Sequence, residues 1–470
     1  LHEEGERLFA TEIYSQRRNR LASDMGTGVI LFLGNTQSPI NFLDNVYPFR
    51  QDSSFLYFWG LENPDLTAVI DVDAPSETIF GNDMTLEESV WAGPQPSLAS
   101  LCEKAGIQAA EPADQLEVVL SNALKSGRPV HFLPQFRGDN ILRLARLLNM
   151  SPEAVGAGAS PEMIRAVVFQ RSIKTDVEID QIEKAVDLSH RIQLLAMKMT
   201  APGMVEREVV GAMESLAYAA GGRRMAFPTI FSIRGDVLHN PYHQNTLQAG
   251  DLVINDSGVE SPLNYASDIT RTFPVGGTFD TRQKEIYQIV LASQEAAIQA
   301  IRPGIEFRNI HILACRMLTA GLKQIGLMTG DVEESLSAGA HALFMPAGLG
   351  HMMGLDVHDM EDLGEDHVGY TDTIRRSTQF GANKLRLARK LERGFVLTVE
   401  PGIYFIPQLM EQWKASGRFD AFIDFEKAET YMGFGGVRIE DDVLVTGAGC
   451  RVLGKPIPKS IEDVEAFSSL

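Results

Sequence analysis

The chain has 470 residues, more than one hydrophobic core ordinarily organises, so two or three domains are expected. Lys and Arg total 42 against 62 Asp and Glu, and the formal net charge of −20 repels nucleic-acid phosphates and anionic lipid surfaces. With 44% hydrophobic and 22% charged residues, 41 Gly and 22 Pro, the composition is globular and excludes fibrous and disordered classes. No apolar run reaches the roughly 18 residues of a membrane span, and the opening LHEEGERLFATEIYSQRRNRL is charged throughout, without a signal-peptide core. Cys102, Cys315 and Cys450 are too few, too distant and odd in number for a disulfide framework or a Cys-rich zinc site. A cytoplasmic protein with no nucleic-acid and no membrane partner is expected, and the start at Leu1 leaves a removed leader open.

In chain order, GVILFLG (28–34) and DLTAVIDVD (65–73) read as strands and DNILRLARLLNM (139–150) as a helix, an alternation that predicts an α/β layer. SPEAVGAGASPEM (151–163) reads as a turn-rich interruption, and DVEIDQIEKAVDLSHRIQLLAMKM (176–199) then shows helical spacing of apolar residues. A domain boundary near 158 follows, giving domains 1–158 and 159–470. No internal repeat is visible, which excludes solenoids and propellers. DTRQKEIYQIVLASQEAAIQAI (280–301) reads as a long helix, whereas DLVINDSG, ASDITRTFPV, GFVLTVEPGIYF and GGVRIEDDVLVT are rich in β-branched residues and bounded by Gly or Pro, as strands are.

Each of those four strands holds an acidic residue inside an apolar run, and a lone ionised carboxylate is strongly disfavoured in a low-dielectric interior. A shared cation answers all of them together. Strand alternation puts Asp256 on the face of Ile254 and sets Asp268 with Thr270 and Thr272. Arg438 and Glu440 share a face, where the guanidinium is expected to hold the glutamate ionised. Glu400 sits where TVEPG breaks at Pro401 and Gly402, and His351 in GLGHMMGLDVHD adds an imidazole. Any one of these residues alone is most often a solvent-facing residue at a strand end; five in this order point to two divalent ions, typically about 3.5–4 Å apart. Oxygen-rich ligation with one nitrogen suits Mn²⁺, with Zn²⁺ or Co²⁺ as alternatives, and the chemistry suits hydrolysis of an unactivated amide. HNPYH (239–243) is read as a loop, because Pro241 breaks the helix that paired zinc histidines require.

The series Asp256, Asp268, His351, Glu400 and Glu440, in NDSG, SDITRTFPV, GLGHMMGLDVHD, TVEPGIYF and GFGGVRIEDDVLVT, resembles the pita-bread metallopeptidases, specifically the prolidase and aminopeptidase P branches. DSSFLYFWGLENPDLTAVIDVD is similar to that family's creatinase-like first domain, and RSIKTDVEIDQIEKA to its domain junction. The resemblance implies a creatinase-like amino-terminal α/β domain followed by a pita-bread catalytic domain, an α/β (α+β) fold. It implies that Asp256 chelates one ion, that Asp268 and Glu440 bridge both, and that His351 with Glu400 completes the other. Glu400 would also shuttle the proton of the attacking water, His358 would contact substrate and steady the tetrahedral intermediate, and His239 would line the substrate pocket. Without the family context, either histidine reads as a hydrogen-bonded structural residue.

Three departures from the family pattern stand out. The spacing from Asp256 to Asp268 is one residue longer than usual, an insertion expected in the SGVESPLNYAS turn; Phe227 stands where a tyrosine is common; and the stretch from Gly235 to His239 is short. The long segment between Glu400 and Glu440 and the KLRLARKLERG stretch are similar to prolidases, where the arginine corresponding to Arg386 grips a dipeptide carboxylate. The expectation is therefore a two-metal peptidase hydrolysing the bond before proline in Xaa-Pro dipeptides. Alternatives are an Xaa-Pro aminopeptidase acting on longer peptides, a catalytically inactive pita-bread binding protein, and a metal-free creatinase-like enzyme. A homodimer is implied by the family, and Trp91 in ESVWAGPQ stands in a turn-like context where local packing is the commoner role.

Overall fold

The computed structural model describes residues 8–107 and 109–468; residues 1–7 of the charged opening lie outside them. The chain forms two compact units, Leu1–Arg171 with Met360–His367, and Ser172–Asp359 with Val368–Leu470.

The first unit is built on a five-stranded sheet in the order Ala109–Pro112, Ser76–Gly81, Thr67–Asp71, Val29–Leu33, Val130–His131. The two outer pairings are parallel and the two inner ones antiparallel. Val29–Leu33 is buried along its whole length, which is why GVILFLG is continuously apolar instead of alternating. Leu116, Leu120, Leu144 and Leu148 close the core from the helices Gln115–Lys125 and Gly138–Leu148. The short helix Ser53–Trp59 is wholly buried; Asp52 caps it by accepting from Phe55 N at 2.7 Å, and Arg18 donates to the Phe58 carbonyl at 2.9 Å while pairing with Glu77.

Two local expectations are corrected. The segment 151–163 is helical, as Pro152–Gly158 and the start of Pro161–Ser172, because Ser151 caps Ala154 N and Pro152 occupies the first helical position, where its missing N–H costs nothing. Trp91 lies in the helix Leu86–Ala92, begun by a Thr85/Glu88 capping box, and at 86% exposure it is not packed locally.

In the second unit the helix Asp176–Met199 packs on an antiparallel sheet of Ile230–Ser232, Leu252–Ser257 and Ile269–Pro274. Gln193 fixes that contact, donating to Ile269 O at 2.8 Å and accepting from Asn255 Nδ2 at 2.9 Å. The ladder between Leu252–Ser257 and Ile269–Pro274 runs in register from Ser257↔Ile269 to Leu252↔Pro274, so the longer turn leaves both strand faces as expected. The helices Thr281–Ala300, capped by Asp280, and Phe307–Gln324 pack along one another.

The two carboxyl-terminal acidic strands are each broken in the middle. GFVLTVEPGIYF forms Val396–Val399 and Gly402–Tyr404, and GGVRIEDDVLVT forms Gly436–Arg438 and Asp441–Val445. The outer halves pair as Val399↔Asp441 and the inner halves as Gly402↔Arg438, so Glu400 and Glu440 occupy matching breaks.

The hairpin is anchored behind by a buried ionic cluster. Arg271 Nη2 lies 2.7 Å from Asp441 Oδ1, while Gln294 Nε2 and Lys459 Nζ each donate to Asp441 Oδ2 at 2.8 Å. Burial alone would raise the Asp441 carboxyl, but Arg271 and Lys459 hold it down to about 2. Arg271→Ala should therefore destabilise this unit by about 3–5 kcal/mol, read as a lower urea midpoint, because a buried charge loses its partner. Since the folded pKa lies below the usual carboxylate value, this contribution is complete above about pH 4 and is lost as pH falls toward 2. Acid unfolding of the variant should begin at higher pH.

Candidate metal centre

The matching breaks aim side chains where a regular strand could not. Ile439 N reaches Pro401 O at 3.4 Å and Glu440 N donates to Thr270 O at 3.1 Å, which docks the break at Glu440 onto the Ile269–Pro274 strand beside Asp268. Thr270 pairs with Asp256 across the ladder and donates its hydroxyl to Glu440 Oε2 at 2.6 Å, so the hydroxyl expected beside Asp268 serves Glu440. Thr272 on the same face donates to Arg438 O at 2.9 Å.

His351 reaches the site from a loop laid on the Val396–Val399 strand. Its N–H donates to Thr398 Oγ1 at 3.0 Å, and Thr398 N returns a bond to His351 O at 3.0 Å. Gly350 permits that approach: a Cβ there would lie 2.1 Å from Thr398 O. His351 Nδ1 lies 3.1 Å from the Met352 carbonyl, which can only accept, so Nδ1 donates there and Nε2 is aimed at the carboxylates. Nε2 is 3.4 Å from Asp268 Oδ2 and 3.5 Å from Glu400 Oε1.

Ligand atoms of Asp268, His351 and Glu440 lie within 4.8 Å of one another, and all three residues are buried. Glu400 joins them through His351 and through Thr398, whose hydroxyl donates to Glu400 Oε1 at 3.2 Å; its side chain keeps 23% exposure, more than Asp256 or Asp268 keeps. Asp256 is buried beside Asp268 and is held by the Arg438 guanidinium. The structure thus brings together all five residues singled out in the sequence.

The electrostatics are those of an acidic cluster short of positive charge. Burial, then the charges of Asp256 and Asp442, push Asp268 well above the usual carboxylate range. Burial and Asp268 do the same to Glu440, and burial raises Glu400. Arg438 lowers the Glu440 carboxyl, as expected, but burial and the charges of Asp268, Glu400 and Asp256 outweigh it. Its guanidinium is engaged by Asp256, by Thr270 Oγ1 at 3.1 Å and by the Tyr404 hydroxyl at 2.9 Å. Asp256 Oδ1 and Asp268 Oδ1 are buried with no hydrogen-bond partner. Buried orphan carboxylate oxygens together with an imidazole nitrogen are the donor set that hard or borderline divalent cations take, so these residues fit such ions.

Among the remaining candidates, His358 stacks on His351 with ring centroids 3.8 Å apart and planes 15° from parallel. His239 lies exposed in the 233–246 loop, and HNPYH is not helical, as expected. Arg386 is half-buried in a segment held by Ala388 N donating to Gly369 O at 2.8 Å. Phe227 sits against Gly258, directly after the Leu252–Ser257 strand. Sequence reasoning missed Tyr404, Thr398 and Asp442. Asp442 accepts from Asp268 N at 3.0 Å, and burial pushes its carboxyl up to about 8. The alternation of Thr398 with Glu400 carried a signal; the cross-strand partners of Tyr404 and Asp442 carried none.

Comparison with known proteins agrees with this geometry. Residues 180–447 match the profile of metallopeptidase family M24, and residues 14–131 that of the aminopeptidase P N-terminal domain. A human Xaa-Pro dipeptidase is 33% identical over 451 residues, 93% of this chain and 88% of the relative. An Escherichia coli Xaa-Pro aminopeptidase is 30% identical over 464 residues, 97% of both. Among solved structures, Pseudomonas aeruginosa aminopeptidase PepP superposes with a TM-score of 0.81 at 29% identity, covering 98% of this chain and 99% of that one. A zinc-substituted E. coli aminopeptidase P in complex with product superposes with a TM-score of 0.79 at 28% identity, covering 98% of both chains. The chain therefore belongs to metallopeptidase family M24, with an aminopeptidase P type amino-terminal domain ahead of a pita-bread peptidase domain that takes divalent metal.

Proposed function

We propose that this enzyme hydrolyses the peptide bond preceding proline, with Xaa-Pro dipeptides as its preferred substrates. The observation that carries the reading is the buried Asp268–His351–Glu440 cluster with Glu400 partly open beside it and His358 stacked on its histidine. Asp256, Asp268, His351, Glu400 and Glu440 would hold two divalent ions, with Mn²⁺ favoured by four carboxylates and a single imidazole. When bound, such ions polarise the scissile carbonyl and make water a nucleophile at neutral pH.

The protein's own groups supply the rest. Glu400, the most accessible carboxylate of the set, accepts the proton of the attacking water and returns it to the departing prolyl nitrogen. His358, its ring fixed by stacking on His351, donates to the oxygen that gains charge. Arg386 grips the free carboxylate that ends a dipeptide, and His239 lines the pocket. Thr270 and Arg438 position Glu440 and Asp256. A homodimer is proposed from the exposed Phe42, Leu43, Leu86, Val90 and Trp91 of the first unit, and a cytoplasmic location from three free cysteines.

The second reading, an aminopeptidase that accepts longer peptides, is favoured by the superposition on aminopeptidase P structures. Substrate length decides between them. The preferred reading expects Xaa-Pro dipeptides to be cleaved faster than Xaa-Pro tripeptides, and Arg386→Ala to cost about 1.5–3 kcal/mol in kcat/KM on dipeptides with little change on tripeptides. Equal cleavage of both lengths, with an equal effect of Arg386→Ala, would establish the aminopeptidase reading. Metal analysis should find two divalent ions per chain, and chelation should abolish activity. Asp268→Ala and Glu440→Ala should each lose both ions, and Asp256→Asn chiefly one. His358→Ala should retain metal while kcat falls by roughly 10²–10³, the usual cost of removing one donor to a developing charge; loss of metal in that variant would make His358 a structural support of the site.

A further inference from the structure

A second polar constellation lies in the same unit, away from the carboxylates. A cavity of about 400 Å³ opens between the helices Phe307–Gln324 and Val332–Ala338, the turn Ala340–Leu343 and the 370–388 segment. Its floor holds His311, Cys315 and His341, all buried. His311 and Cys315 are one helical turn apart, with Cys315 Sγ 3.6 Å from His311 Nε2. His341 is only 7% exposed, yet its Nδ1 has no hydrogen-bond partner. A buried imidazole nitrogen left unsatisfied beside an open space is the kind of group a ligand completes.

The chemistry of the lining selects the ligand. Burial pushes His311 down to about 3 and His341 to about 4, and it pushes the Cys315 thiol up to about 12, so the floor is polar and uncharged at neutral pH. Two exposed arginines stand at the mouth. Arg308 is paired with Glu306 at 2.6 Å, so Arg375, whose Nε donates to the Asp372 carbonyl, is the cation offered to a ligand. Glu333, the carboxylate among the lining residues, is engaged by Arg316. Leu336 and Leu385 supply apolar wall. A lone metal ion does not suit the site, because among the described residues the ligand atoms of His311, Cys315 and His341 do not converge as those of Asp268, His351 and Glu440 do. The volume lies in the range of small-molecule pockets.

We propose that this cavity is a binding site for a small organic acid that carries a second polar group, with its carboxylate at Arg375, that polar group hydrogen-bonded to His341 Nδ1, and its apolar part against Leu336 and Leu385. The cavity shares the 370–388 segment with Arg386, and Tyr370, which lines it, donates to the Leu385 carbonyl one residue before that arginine.

Calorimetric titration of the purified full chain with 4-(4-hydroxyphenyl)butyrate tests the site. One saturable site is expected, with affinity about tenfold lower for the neutral 4-(4-hydroxyphenyl)butan-1-ol, the worth of one charged contact, weaker binding of 4-phenylbutyrate, which lacks the phenol, and no comparable binding of inorganic phosphate. Arg375→Glu should weaken the hydroxyphenyl acid at least tenfold and Ser337→Trp, which plugs the mouth, should abolish its binding, while both variants keep the wild-type thermal midpoint. Glu400→Gln should leave binding unchanged. Absence of binding, equal binding of phosphate, insensitivity to both cavity variants, or loss of binding in Glu400→Gln would each overturn the proposal, the last by placing the acid at the carboxylate centre.

Discussion

Four carboxylates, Asp256, Asp268, Glu400 and Glu440, are held together with a single guanidinium among them, mostly out of water. Removing one ionised carboxylate from water costs several kcal/mol even after relaxation, and like charges in contact add to that cost. The fold keeps such a cluster by fixing several of its carboxylates with donors, and the charge that remains is relieved by protonation or by added cations. Neighbouring groups do the fixing. Arg438 and Thr270 orient Asp256 and Glu440, Thr398 orients Glu400, and the His351 ring is fixed by the Met352 carbonyl.

The broken hairpin is how the backbone meets that requirement. A regular strand would place Glu400 and Glu440 on a flat sheet surface with neighbours alternating to the far side. Splitting both strands at Glu400–Pro401 and Ile439–Glu440 turns each glutamate toward the Leu252–Ser257 and Ile269–Pro274 ladder that carries Asp256 and leads out of Asp268. The break is anchored from behind by the Arg271–Asp441–Lys459 cluster, which ties the start of Asp441–Val445 to the Ile269–Pro274 strand and to the chain just before the last helix. Two adjacent aspartates thus have opposite characters. Asp441 faces two cations that hold its carboxyl down to about 2, whereas burial pushes the Asp442 carboxyl up to about 8.

Function then depends on differences in exposure within one cluster. Asp268, His351 and Glu440 are sealed, while the Glu400 side chain retains partial exposure, the difference on which the proposed division between ion holding and proton transfer rests. The His358 ring is parallel to His351, so the element that places the buried imidazole also fixes the more exposed one.

The sequence by itself determined the α/β character, the long helices at 176–199 and 280–301, the acidic strands and the identity of the five clustered residues. Those features are encoded locally, in apolar periodicity, caps and the anomaly of a carboxylate inside an apolar strand. The helical nature of 151–163 was masked by its glycines, although Ser151 and Pro152 are sound start signals. What only the tertiary structure decided was partnership. Arg438 lies two residues from Glu440 yet binds Asp256, which is 182 residues away, and Thr270 reaches Glu440 across 170 residues. Side-chain pairing of this kind follows from which strands lie side by side and where they break, and a distance in space between strands far apart in the chain leaves no period or spacing to be read.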